Sequence, residues 1–303
     1  MLRPNDKIGL ICCSNGLSDA LRPQINHLLQ LLTEMGLVPI CSPCLFADQL
    51  GNSVSPAMRA QSLMDFFADS SIKAVFDLSG GDLANQILDD LDFTCIQKHP
   101  KPFFGYSDLT VLLNALYAKA GTPSCLYQIR NLIRQESAWQ RNAFSASLFH
   151  NSPELFRFSY HFLRGNEMEG TVVGGNIRCF LKLAGTSYLP DLQDKLLFLE
   201  SRSGKPAFLA SCFAQLRQMG AFSRIKGVLL GTFTQAESEG LTPSAGELLL
   251  AALPSPDLAV AKTSLIGHGP DSRCLIIGRR LCLTENAKIS SCQTAQDFYC
   301  PGD

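Results

Sequence analysis

The first 120 residues alternate strand-length apolar runs with helix-length amphipathic runs, and this alternation constrains the fold more than any other feature. Lys7–Cys13 reads as a buried strand, Ser18–Met35 as a helix closed by Gly36, and Leu37–Cys41 as a second short strand. Ser55-Pro56 marks a helix start, with Ser as N-cap and Pro at the first helical position, where its missing N–H has no cost. Ala74–Leu78 reads as a third strand and is followed by Ser79-Gly80-Gly81. Residues 83–91 read as a helix and Pro102–Gly105 as a fourth strand. From Asp108 an amphipathic helix follows: Leu109, Leu112, Leu113, Leu116 and Tyr117 recur at i, i+3, i+4, i+7 and i+8, and Gly121 ends the run. Strand–helix alternation implies a parallel sheet covered on both faces, so the expected class is α/β. Sites in such folds gather at the carboxyl ends of the strands.

Residues 134–165 are richer in Gln, Ser, Asn, His and Phe and carry no clear sheet period. They are expected to form a linker that packs on something. A second apolar region begins near Gly170, with Thr171–Val173, a Gly174-Gly175-Asn176 turn and a short helix Ile177–Ala184. A strand Lys195–Leu199, a helix Ala207–Met219 and a strand Ile225–Leu230 follow, and Thr242-Pro243 opens a helix to Leu253. Cys274–Ile277 and Leu281–Thr284 around Gly278-Arg279 read as a hairpin. The predicted division is residues 1–133, a linker at 134–165, and residues 166–303.

Composition excludes several function classes. The 303 residues carry 26 Lys and Arg against 27 Asp and Glu, a formal net charge of -1. That balance, without a long basic run, argues against a nucleic-acid binder that works by neutralising phosphates. No stretch of 18 apolar residues occurs, so no membrane span is expected. Residues Met1 to Lys7 lack the apolar core of a signal peptide, and the expected compartment is the cytoplasm. The twelve cysteines are then expected to be reduced, mostly as small core residues. Cys41-Ser42-Pro43-Cys44 is the exception, a spacing used for redox chemistry or half a zinc site. There is no second such pair and the five histidines are scattered, so neither a metal nor a cofactor is expected.

Gly105-Tyr106-Ser107-Asp108-Leu109 stands where a strand ends and a helix starts. A sharp turn there would expose a nucleophilic hydroxyl above the sheet, beside the N–H donors of the helix start. The G-x-S-x-G pattern is incomplete, because Leu109 replaces the second Gly. On this segment alone the simpler reading has Ser107 as an N-cap and Asp108 as a complement to the helix dipole. A nucleophilic serine needs a base, and the base needs an orienting acid. Among the histidines, His268 in Ile266-Gly267-His268-Gly269-Pro270 best fits an active-site loop, because the flanking glycines allow a bend and a close approach. Glu200, directly after the apolar run Leu196-Leu197-Phe198-Leu199, is the candidate acid, though it could equally be a rim residue. Spacing permits this triad without requiring it.

These residues resemble a known family. Phe104-Gly105-Tyr106-Ser107-Asp108-Leu109-Thr110 resembles the nucleophile motif of the LD-carboxypeptidase family of serine peptidases, which includes the microcin C resistance peptidases. Gly80-Gly81-Asp82-Leu83-Ala84-Asn85 resembles its glycine-pair segment. Gly174-Gly175-Asn176 with Leu183-Ala184-Gly185-Thr186 resembles the start of its second domain, Leu197-Phe198-Leu199-Glu200 its catalytic Glu segment, and Gly267-His268 its His segment. The resemblance runs from about residue 5 to residue 285. It implies an N-terminal Rossmann-like domain, a smaller C-terminal β-rich α/β domain, a homodimer and no metal. Carried over by position, it implies Ser107 as nucleophile, His268 as general base and then acid, and Glu200 as orienting acid. The backbone N–H groups of Gly81 and Asp108 would form the oxyanion hole. Family members cleave an amide next to a C-terminal residue, in muropeptides or in peptidyl and aminoacyl adenylates.

The chain departs from the family in two places. A His-Gly-Pro or Tyr-Gly-Pro usually follows the nucleophile helix, whereas Leu126-Tyr127-Gln128 stands here. Further acids often follow the catalytic Glu, whereas Ser201-Arg202-Ser203-Gly204-Lys205 follows Glu200. A carboxypeptidase must also hold a substrate carboxylate, for which Arg130, Arg202 and Lys205 are candidates, with Asn85 a further substrate contact. The partner expected is thus a small peptide-like substrate, not a nucleic acid or a membrane. The lost Gly-Pro motivates an alternative, a catalytically inactive relative that binds a peptide- or nucleotide-like ligand. A dinucleotide-dependent enzyme is a weaker third reading, because Ser14-Asn15-Gly16 stands where a G-x-G-x-x-G would follow the first strand.

Overall fold

The computed structural model describes residues 1–135 and 137–287. In chain order the strands are β1 (Lys7–Ile11), β2 (Val38–Cys41), β3 (Ile72–Asp77), β4 (Phe103–Gly105), β5 (Ser124–Leu126), β6 (His161–Arg164), β7 (Glu167–Asn176), β8 (Lys195–Ser201), β9 (Gly227–Phe233), β10 (Ala259–Lys262), β11 (Leu275–Ile277) and β12 (Arg280–Thr284). The α-helices are α1 (Arg22–Glu34), α2 (Pro56–Ala68), α3 (Phe93–Lys98), α4 (Thr110–Ala120), α5 (Ala138–His150), α6 (Ile177–Leu181), α7 (Pro206–Gln218), α8 (Thr234–Ser238) and α9 (Ala245–Ala252). No helix among the described residues is long and apolar enough to cross a membrane.

Two six-stranded sheets result. In the first, β1 to β5 run parallel in the order β2-β1-β3-β4-β5, with β11 antiparallel outside β5. Because β1 is paired on one side with β2 and on the other with β3, the connections diverge there, and a crevice opens beyond the carboxyl ends of β1 and β3. The second sheet runs β12-β7-β8-β9-β10-β6, parallel through β7 to β10 and antiparallel at both edges. Both faces of each sheet are covered, which is why β3 and β8 are buried almost throughout and read as continuous apolar runs. The α/β class follows the sequence reading, while β11, from residues 275–277, crosses into the first sheet.

One apolar core continues from the first sheet to the second, taking in Val111, Leu112 and Leu116 of α4 and Val172, Val173 and Leu197 of the second sheet. A separate core on the other face of the first sheet takes in Ile25, Leu28 and Leu32 of α1 and Phe144 and Leu148 of α5. The carboxyl end of β7 is hydrogen-bonded to α4: Asn176 N donates to Thr110 Oγ1 at 2.9 Å, and Asn114 bonds both the N–H and the carbonyl of Gly174. This junction brings the carboxyl ends of β7 and β8 to the start of the helix that follows Ser107.

Several local expectations are corrected. The pair of strands read as a hairpin is split: β11 pairs with β5 in the first sheet and β12 with β7 in the second, with Gly278 at φ +83° between them. Alternation identifies a strand but not its partner. The segment 83–91 forms 3-10 turns over Ala84–Asp90 rather than an α-helix. The last helix starts at Ala245, not at Thr242-Pro243, because Ser244 and Glu247 form a capping box. Residues 134–165 hold α5, packed on the first sheet, and β6, at the edge of the second.

Candidate active site

Ser107 follows β4 and one further extended residue, and it adopts φ +58°. A left-handed conformation is uncommon for a residue with a Cβ and marks strain at functional turns. It throws the side chain out of the strand line at the start of a 3-10 turn, Ser107–Leu109, that leads into α4. The N-cap position falls on Tyr106, and no side-chain cap bond forms, so the capping role is not the one Ser107 plays.

His268 and Glu200 are brought together by the second sheet. Glu200, in β8, is fully buried, and its Oε2 lies 2.7 Å from His268 Nδ1. Asn176 Nδ2 donates to Glu200 Oε1 at 3.0 Å and the Tyr106 hydroxyl to Oε2 at 3.4 Å. The Tyr106 ring also meets the imidazole edge-on, with ring centroids 4.9 Å apart, so the residue before Ser107 touches both members of the pair. Burial pushes the Tyr106 phenol well up, and the Glu200 charge adds to it, which keeps the hydroxyl a donor. His268 Nε2 is buried and makes no hydrogen bond among the described residues.

The loop bearing His268 lies against the carboxyl end of β9. Thr232 N donates to Ile266 O at 2.9 Å and Gly267 N to Ser272 Oγ at 3.2 Å. From the linker, Gln140 Nε2 donates to the carbonyls of Pro270 and Ser272, both at 2.9 Å. A Cβ on Gly267 would stand 1.7 Å from Thr232 Oγ1. Gly267→Ala is therefore expected to push the His loop off β9, costing about 1–3 kcal/mol by overpacking and reducing turnover with it. Thermal unfolding measured beside kcat checks this: unchanged stability and unchanged kcat would mean that the loop is not seated this way.

The glycine-pair segment borders Ser107. A Cβ on Gly80 would lie 3.9 Å from Ser107 Cβ. Gly81 has φ +127°, and a Cβ there would fall 2.1 Å from Asn15 Oδ1, so only glycine fits. The loop is anchored below by the buried Asp77, which accepts from Cys13 N at 2.6 Å and from Ser79 N at 2.7 Å. Burial raises the Asp77 carboxyl pKa, and these bonds oppose the rise. Asp108 is buried too, with Oδ2 accepting from Ser14 Oγ at 2.7 Å and Ala84 N at 2.8 Å. The N–H groups of Gly81 and Asp108 have no acceptor among the described residues, as fits the open donors of a helix start and its facing loop.

Arg134 lies beside His268, and Arg130 and Arg202 lie within electrostatic reach of Arg134. Arg134 Nη1 donates to His268 O at 3.3 Å, and Arg130 Nε is buried without a partner. Burial lowers the Arg130 pKa, and the charges of Arg134 and Arg202 lower it further. Among the described residues no ion pair joins Arg130, Arg134 or Arg202 to a carboxylate. The residues that stand in place of the expected Gly-Pro contribute here: Gln128 Oε1 accepts from Arg130 N at 3.3 Å, and its Nε2 donates to Ser79 O at 3.4 Å. Lys205 is exposed at the start of α7. Asn85 is exposed on its 3-10 turn and makes no bond to the other site residues among those described.

Sequence reasoning missed Asn176 as a partner of Glu200, Tyr106 as a contact of the pair, and Arg134. Asn176 had a signal, since an Asn before an apolar helical run is an N-cap and its side chain does accept from Cys179 N. Arg134 had none, being one basic residue in a polar stretch. The ten described cysteines are free thiols. Cys41 is exposed, whereas Cys44 is buried with its sulfur 3.3 Å from Ser62 Oγ. Cys292 and Cys300 lie outside the described residues.

A serine in a strained strand-to-helix turn and a histidine backed by a buried carboxylate are parts that serine hydrolases use. Family comparison makes the class specific. The chain matches the LD-carboxypeptidase N-terminal domain over residues 8–127 and the LD-carboxypeptidase C-terminal domain over residues 169–283. It belongs to the LD-carboxypeptidase family of serine peptidases. It is 24% identical over 265 residues to the Microcin C7 self-immunity protein MccF of Escherichia coli, covering 77% of each chain. It is 26% identical over 240 residues to the murein tetrapeptide carboxypeptidase of Pseudomonas aeruginosa, covering 75% of this chain and 78% of that one. Among solved structures, the MccF-like protein from Bacillus anthracis str. Ames superposes with a TM-score of 0.81 at 26% identity, over 95% of this chain and 96% of that one. The resemblance read from the motifs is thus the chain's family, and membership in a peptidase family favours the enzyme over the ligand-binding alternative.

Proposed function

We propose that the chain is a Ser-His-Glu peptidase that cleaves an amide next to the C-terminal residue of a small peptide-like substrate. The observation that carries this reading is the state of His268, with Nδ1 taken by the buried Glu200 and Nε2 buried and unpartnered. Glu200 holds the tautomer in which Nδ1 carries the proton, and Nε2 is free to accept the proton of Ser107. Ser107 attacks the carbonyl, and the N–H groups of Gly81 and Asp108 stabilise the oxyanion, each worth about 10²–10³ in rate. His268 protonates the departing amine, and water then resolves the acyl-enzyme.

Arg130, with Arg134 beside it and Arg202 and Lys205 at the rim, supplies the anion site for the substrate carboxylate; Asn85 lies further out. A muropeptide that loses its terminal D-alanine is the substrate favoured by the arginines and by the murein tetrapeptide carboxypeptidase relative. An aminoacyl or peptidyl adenylate is the second reading, favoured by the MccF relatives. The protein is read as a cytoplasmic homodimer. Mass-spectrometric assay of a tetrapeptide muropeptide and of an aminoacyl sulfamoyl adenosine ranks the two: release of D-alanine supports the first, and no turnover of either contradicts both.

Charge-assisted bonds contribute roughly 1.5–3 kcal/mol each, so Arg130→Met is expected to raise KM by about 10–100-fold on a substrate with a free carboxylate. The same peptide amidated at its C-terminus should show no such dependence. An equal effect on both peptides would remove Arg130 from carboxylate recognition.

A further inference from the structure

Two cations from the second half of the chain grip the loop that carries Gly81. They stand four residues apart, on one face of the helical segment that leaves β7. Arg178 Nη1 pairs with the Asp82 carboxylate, and its Nη2 donates to Gly81 O at 2.9 Å. Lys182 Nζ donates to Asp82 O at 2.8 Å and to Asp108 Oδ1 at 2.6 Å. From the opposite side Asn15 Oδ1 accepts from Asp82 N at 2.8 Å. The Gly81–Asp82 peptide group is therefore held at both ends, its carbonyl by Arg178 and its N–H by Asn15.

We infer that Arg178 and Lys182 are positioning residues that set the oxyanion hole, which is complete only when the two halves of the chain are docked. The inference rests on the serine-peptidase reading above. Three facts join the cations to the two donors. With the following peptide fixed, the Cα of Gly81 is anchored, and its own N–H keeps only the rotation of the Gly80–Gly81 peptide. Asp108 is the other donor residue, and its buried carboxylate is tied at once to Lys182, to Ser14 and to Ala84 beyond the loop. Lys182 thereby bridges the donor loop and the residue after the nucleophile with one ammonium. The ion pair is shielded, with Asp108 fully buried and Lys182 20% exposed, so solvent screens it little.

Donors placed before the reaction act on the transition state more than on bound substrate, so their misplacement lowers kcat rather than raising KM. Arg178→Met and Lys182→Met are each expected to lower kcat by about 10–100-fold, the scale of a misplacement near 1 Å, with KM within about threefold. A peptide aldehyde, which forms a tetrahedral oxyanion on the serine, should lose affinity by the same factor. Lys182→Arg and Arg178→Lys, which keep the charge, should recover most of the rate. Arg224→Met is the control, because Arg224 makes a comparably exposed pair with Asp191 near the start of β8, far from Glu200. Lys182→Met leaves Asp108 buried without its cation and can fail to fold. Arg178, at 43% exposure, carries the test in that case. Ser107→Ala run in parallel separates the two claims. If it keeps wild-type turnover, the peptidase reading itself falls. If it is inactive while folded Arg178→Met and Lys182→Met keep full kcat and aldehyde affinity, only the clamp is overturned.

Discussion

Ser107→Ala is expected to lower kcat/KM by about 10⁴-fold or more, since the residual rate then rests on the oxyanion donors and binding alone. Stability should stay within about 0.5 kcal/mol, because the Ser107 hydroxyl makes no hydrogen bond among the described residues and Ala occupies the same strained backbone. Ser107→Gly adds a separate signature. Glycine adopts φ near +58° without the Cβ clash, so this variant should be inactive and more stable by about 1 kcal/mol. A serine kept only for structure would not be both dispensable for stability and indispensable for rate. Steady-state kinetics beside thermal unfolding decides the matter. Wild-type turnover by Ser107→Ala would contradict the assignment.

Glu200→Gln carries the second large effect, and its direction follows from the bonds around the carboxylate. Oε1 accepts from Asn176 Nδ2, while Oε2 faces His268 Nδ1 and the Tyr106 hydroxyl. A glutamine that keeps its oxygen toward Asn176 presents its NH₂ to His268 Nδ1. That nitrogen must then accept, the imidazole proton moves to Nε2, and the base toward Ser107 is lost. An analogous carboxylate-to-amide change in a Ser-His-Asp peptidase costs about 10⁴ in kcat, so a loss of about 10³–10⁴ with little change in KM is expected. Imidazole ¹⁵N shifts of the variant should report the Nε2–H tautomer. A kcat within tenfold of wild type, with the Nδ1–H tautomer retained, would show that Glu200 does not orient His268.

Much of this was legible in the sequence, for identifiable reasons. The parallel sheets follow from strand–helix alternation, and β3, β4 and β8 are recognisable because burial on both faces makes them continuous apolar runs. Ser107 stands out because a strand must end and a helix begin within a few residues, and His268 because glycines flank it. Glu200 stands out as a charge at the end of four apolar residues. What stayed hidden is pairing across long separations. Nothing local tells that Leu275–Ile277 crosses to β5 while Arg280–Thr284 stays with β7, since both alternate alike. The same holds for charge. Arg130, Arg134, Arg178 and Lys182 are ordinary basic residues until the fold sets Arg134 beside His268, Arg130 near Arg134, and the last two over the Gly81 loop. The C-x-x-C pair has a spacing used in redox and zinc sites, and its cysteines differ in setting, one exposed and one buried against Ser62.

The central claim is that Ser107 becomes acylated during turnover. The direct measurement is the mass of the intact protein, acid-quenched while it turns over a muropeptide or an aminoacyl sulfamoyl adenosine, followed by peptide mapping. The expected result is a mass increase equal to the acyl portion of the substrate, carried by the peptide containing Ser107 and absent from Ser107→Ala. Turnover with no adduct at Ser107, or an adduct that persists in Ser107→Ala, would contradict it.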